Sequence, residues 1–115
     1  MKVPQRYTKA LLFVLTLTVA AYFWQHPYVA TIFEICIAIG LLSLSGWRYW
    51  KYYLSCAVLG AISEILVIHG GAWSYALPQL LGIPLWVPFA WGNASLFYIS
   101  LAPHVTAKLR KSNVA

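Results

Sequence analysis

The chain has 115 residues, of which 62% are hydrophobic and 9% charged, and its formal net charge is +6. Soluble domains carry about a quarter charged residues, so this composition excludes an ordinary water-soluble domain and leaves a membrane as the natural solvent. Nucleic acid is excluded as a partner as well, because the eight Lys and Arg residues fall into three separate groups and form no single basic face with interleaved aromatics.

The first apolar segment, about residues 7–25, follows Lys2, Arg6 and Lys9 and ends in Tyr22-Phe23-Trp24, an aromatic cluster suited to a membrane interface. A basic start before an apolar run also has the form of a signal peptide, with Val19-Ala20-Ala21 as its cleavage site. The aromatic cluster favours a retained span.

The second segment, about 28–46, holds Glu34 between Ala30 and Ala38, and the third, about 52–69, holds Glu64 with Gly60 four residues earlier. Small residues mark faces where membrane helices approach closely. Between these segments lies the aromatic and basic run Trp47-Arg48-Tyr49-Trp50-Lys51.

Residues 70–82 form a long connection rich in apolar and aromatic side chains, expected to lie on or dip into the outer interface. The fourth segment, about 83–102, opens with Pro84 in its first turn. Pro88 follows one turn later, where a missing N–H predicts a kink. Asn93 falls near the midplane, and Lys108, Arg110 and Lys111 come after the span.

Each segment approaches the roughly 17 to 25 residues that a bilayer core demands. The sequence therefore predicts one all-α domain over residues 1–115, with four transmembrane helices, a kinked fourth helix and an aromatic outer loop. Every Lys and Arg falls on one side if both termini are cytoplasmic. The expected location is a bacterial inner membrane, in contact with membrane lipid.

Chemistry centres on the only two acids, Glu34 and Glu64. Glu34 lies six residues in from Tyr28 and Glu64 five before His69, which places both carboxyls roughly 8 to 9 Å below the outer boundary. An ionisable group in a span normally faces a partner or a cavity. Two acids at one depth, if neighbours, hold a proton between them and suit acid and base roles. The alternative is a pair of carboxylic acids bonding helix to helix.

His69, Trp73, Tyr75, Trp86, Trp91 and Asn93 are the candidate binding residues, the aromatics as walls for a flat or long apolar ligand and Asn93 as an orienting amide. His26 and His104 read as interfacial. No cofactor and no metal is expected, since nothing in the spacing of His69 and the glutamates selects a coordination geometry. Cys36 and Cys56 differ in depth by about 9 Å, beyond the reach of a disulfide.

The run Glu64, Gly71-Ala72-Trp73-Ser74-Tyr75, Leu81-Gly82-Ile83-Pro84 and Pro88 resembles the core of carotenoid biosynthesis membrane proteins of the bisanhydrobacterioruberin hydratase type. It is also similar to small bacterial membrane proteins with G-x-W-x-Y and GIPLW-x-P patterns. The resemblance implies an isoprenoid or carotenoid-like ligand and hydratase-type chemistry. Three functions are thus expected in order: a protein binding a lipid, isoprenoid or partner helix; an enzyme using Glu34 and Glu64 as acid and base on a lipid-soluble substrate; and a small proton-coupled transporter working as a homo-oligomer.

Overall fold

The computed structural model describes residues 4–114, with side chains up to Lys111; Lys2 lies outside them. Four α-helices account for nearly all of it: α1 (Gln5–Phe23), α2 (Pro27–Ser45), α3 (Trp50–His69) and α4 (Trp86–Val114), with a single 3-10 turn at Trp47–Tyr49 before α3. The all-helical expectation holds, with boundaries close to those read from the segments except in α4.

Local signals explain the breaks. Pro27 occupies the first turn of α2, where its absent N–H costs nothing, and Gly46 ends that helix at φ 114°, its N–H donating to Leu42 O. Helix α4 starts at Trp86, so Pro88 falls within the first turn and interrupts no hydrogen bond. The kink expected at Pro88 therefore has no cause there. The proline inside the helix is Pro103, which removes the bond that the Ile99 carbonyl would accept.

Helix α4 is the centre of the fold. It packs against α1, α2 and α3, while α1 also packs against α2, and α2 and α3 make no extensive contact with each other. Phe13 of α1 stacks on Phe97 of α4 at 4.5 Å. Gly60 of α3 receives Trp91 of α4, and Gly92 receives the ring of Tyr53. Leu41, Ile83, Leu96, Glu34, Val87, Asn93 and Thr16 are the largest fully buried side chains.

These contacts make successive helices antiparallel, which gathers Arg6, Lys9, Arg48, Lys51, Lys108, Arg110 and Lys111 at one end and the 70–85 loop at the other. Among the described residues, α2 and the stretch Trp47–His69 are the two helical stretches long and apolar enough to cross a membrane. Arg6 and Lys9 shorten the apolar part of α1, and Pro88, Gly92, Asn93, Ser95 and Ser100 dilute that of α4.

Both apolar helices are hydrophobic on their outer faces as well as their inner ones. In α2, Ala30, Ile37, Ala38, Leu41 and Leu42 are buried, yet Ile32 and Ile39 are 60% and 51% exposed. In α3, Leu59 and Leu66 are 64% and 68% exposed. A helix apolar all round needs an apolar surrounding on every side.

Candidate functional site

The two glutamates do not meet. Glu34 is fully buried, and its Oε2 accepts a 2.9 Å bond from Asn93 Nδ2, which also donates to the Glu34 carbonyl at 3.1 Å. The Asn93 side-chain oxygen accepts from Tyr53 OH at 3.1 Å, and the same hydroxyl lies 3.0 Å from Phe89 O. Thr16 of α1 flanks the carboxyl. Glu34 thus knots α2, α3 and α4 together at the core, the helix-to-helix arrangement that a buried acid can adopt.

Glu64, only partly buried, instead accepts a 2.8 Å bond from Tyr75 OH. Tyr75 packs edge-on against Trp86 at 6.1 Å. Trp86 and Asn93 are seven residues apart on α4, a rise of about 10 Å, so the two acids engage different levels of the central helix. The shared-proton expectation is conditional on the two acids being neighbours. Helix α4 lies between them, and no shared proton joins the pair.

A groove of about 290 Å³ runs along α4 between α1 and α3, and Glu64, Tyr75, Trp86, Ala90, Trp91 and Thr16 are among its lining residues. A second hollow of about 310 Å³ under the loop shares Ala20, Tyr75 and Trp86 with it and adds Trp24, Ser74, Leu77 and Pro84. The two adjoin at these shared walls, and this lateral channel carries the Glu64–Tyr75 pair on its groove side.

The loop at the end of the bundle opposite the basic residues is shaped locally. A tight turn with mutual Leu80–Ile83 backbone bonds of 2.9 Å has Leu81 and Gly82 at its centre, both at positive φ, the geometry of a mirror-image hairpin turn. Gln79 Oε1 then accepts the Leu85 N–H at 3.1 Å and satisfies a donor at the start of α4.

Of the candidate residues, Glu64, Tyr75, Trp86 and Trp91 converge on the groove, whereas Glu34 and Asn93 belong to the buried knot. His69 is exposed and its Nδ1 bonds Ile65 O at 2.8 Å within its own helix, and Trp73 stands 49% exposed on the loop away from the groove. Among the described residues no three His, Cys, Asp or Glu side chains come together. Both cysteines are free thiols.

Nothing in the sequence marks Tyr53 or Thr16 as a site residue, and only the packing brings them to Glu34.

Two electrostatic features complete the groove. Partial burial, and then the bond to Glu64, push the Tyr75 phenol above its ordinary range, so it remains an O–H donor across physiological pH. Trp86 Nε1 is buried without a partner, as is Thr16 Oγ1. The Glu64 carboxyl on the groove suits a ligand whose polar end donates to it.

No known protein family, curated protein or solved structure matches this chain. The likeness of residues 64–91 to the carotenoid hydratases extends no further than its motifs.

Proposed function

We propose that this chain is a small four-span integral membrane protein, with both termini on the cytoplasmic side of a bacterial inner membrane, that holds a lipid or isoprenoid chain beside Glu64. The observation that carries this reading is the lateral channel itself: largely apolar in its lining, open to the side, and carrying the Glu64 carboxyl bonded to Tyr75 among its walls. The broad apolar exposure of α2 and α3 supports the membrane setting, and the basic end of the bundle supports the orientation.

The chemistry of the junction narrows the ligand. A carboxyl beside the head position disfavours an anionic phosphate there, because like charges in a poorly solvated site repel strongly. A hydroxyl donates to the Glu64 carboxyl without adding a charge. The preferred occupant is therefore a long, narrow molecule with an uncharged, alcohol-type end. An acid and base pair acting on one alkene would need both carboxyls on the channel, and Glu34 is not among its lining residues.

Mass spectrometry of the full chain purified in mild detergent tests the binding. The wild type is expected to retain such an apolar alcohol, and Glu64→Gln/Tyr75→Phe or Glu64→Leu to lower its occupancy about tenfold, the equivalent of one lost buried hydrogen bond. Identical bulk-lipid profiles in all three proteins would refute the site.

The four-span topology has its own test. With Cys36 and Cys56 removed, cysteines placed at Ala76 and Lys111 are expected to be labelled from opposite sides of intact inner-membrane vesicles. Labelling of both from one side would overturn it.

A further inference from the structure

The basic end of the bundle carries another hollow, separate from the Glu64 channel. It encloses about 260 Å³ and is lined by Arg6, Tyr7, Ala10, Phe97, Ser100, Leu101 and His104. Its floor is apolar, from Ala10, Phe97 and Leu101. Its mouth holds Arg6, whose Nη2 donates to Tyr7 OH at 3.3 Å and whose guanidinium lies 5.0 Å from the same ring. Tyr7 thereby keeps the cation at the hollow.

Charge accounting shows what this mouth lacks. The chain has two acids, and both are engaged elsewhere, Glu34 with Asn93 and Glu64 with Tyr75. Among the described residues Arg6 has no carboxylate partner. Lys108, one turn beyond His104 on the same face of α4, is a second, exposed cation near this end. These cations favour an anionic partner, and the apolar lining beside Arg6 suits one that carries a hydrocarbon chain.

We infer that this hollow is a binding site for one anionic phospholipid, its phosphate on Arg6 beside His104 and one acyl chain lying between α1 and α4 against Phe97 and Leu101. The inference rests on the membrane reading given above and is independent of the Glu64 channel. Guanidinium is the favoured partner for phosphate because its planar donors meet two oxygens at once. The two sites are complementary in chemistry: an uncharged alcohol at the outer, acidic junction, and a phosphate at the inner, basic one.

The test places the full chain in nanodiscs of phosphatidylcholine with one tenth phosphatidylglycerol and reads, by native mass spectrometry after partial delipidation, which lipid stays bound. The wild type is expected to retain one phosphatidylglycerol in preference to phosphatidylcholine. Arg6→Gln should lower that preference about fivefold, the loss for one cation at a membrane surface. Ala10→Trp, which fills the floor and leaves every charge in place, should lower it as well.

Arg48→Gln, at the same end but outside the hollow, should leave the preference intact. An equal loss in Arg48→Gln would assign it to general surface charge and overturn the site. Displacement of the lipid by millimolar inorganic phosphate would replace a lipid site by a free-anion site and overturn it too. Normal incorporation into the discs with no lipid preference would refute this site while leaving the membrane reading standing; failure to incorporate would refute both.

Discussion

Replacing Gly92 by alanine is expected to destabilise the fold by about 1–3 kcal/mol, the cost of overpacking a close contact. A methyl group at this position would sit 2.6 Å from the Cε1 and Cε2 atoms of Tyr53. The ring has no room to yield: Tyr53 is 8% exposed, and its hydroxyl is held between Phe89 O and Asn93 Oδ1. Relief must come from moving α3 away from α4. Denaturant unfolding in dodecylmaltoside, followed by tryptophan fluorescence, measures the effect; a midpoint unchanged from wild type would mean that the α3–α4 contact is looser than described. Gly60→Ala presses on Trp91 in the same interface, its new methyl 2.8 Å from Trp91 Cβ, so the two losses should not add.

The second large effect is expected from Asn93→Leu. Leucine fills nearly the same volume but removes both donors to Glu34 and the acceptor for Tyr53. Glu34 Oε1 already has no partner, so the variant leaves a fully buried carboxyl with none. Single interhelical hydrogen bonds in membranes average about 0.6 kcal/mol, whereas stranding a buried polar group costs about 1–3 kcal/mol, and the larger figure governs here.

Glu34→Gln is the contrasting case. Its amide oxygen still accepts from Asn93, and its NH₂ faces the flank of Thr16, where both oxygens now lack partners. Stability within about 0.5 kcal/mol of wild type is expected, the range of substitutions that break no buried feature. Equal stability of Asn93→Leu and wild type would remove the knot from the list of forces that hold the bundle. A Glu34→Gln variant as weak as Asn93→Leu would show instead that the carboxyl group itself is required.

Much of the architecture is legible in the residues. Periodic apolar segments, Pro27 at a helix start and Gly46 at a helix end determine four helices and where three of them begin and end, because caps and breakers act within a turn of their own position. The three groups of Lys and Arg likewise determine that one end of the bundle is basic. Helix α4 is the exception. Its start depends on whether Pro88 falls inside the helix or in its first turn, and the Leu80–Ile83 turn with the Gln79 side chain settles that through contacts sequence spacing does not reveal.

The sites divide differently. The sequence by itself determined that Glu34 and Glu64 are the only acids and that each lies within an apolar segment, since composition and hydropathy are one-dimensional properties. Tertiary structure alone decided that they are strangers. Counting 1.5 Å per residue gives depth only along a straight helix and says nothing about which helices touch. Helix α4 inserts between α2 and α3, takes Glu34 with Asn93 and Tyr53, and leaves Glu64 with Tyr75 and Trp86 on an open channel. Neighbour choice among four helices is set by how small residues such as Gly60 and Gly92 admit large ones such as Trp91 and Tyr53, and that complementarity exists only between surfaces once they are packed.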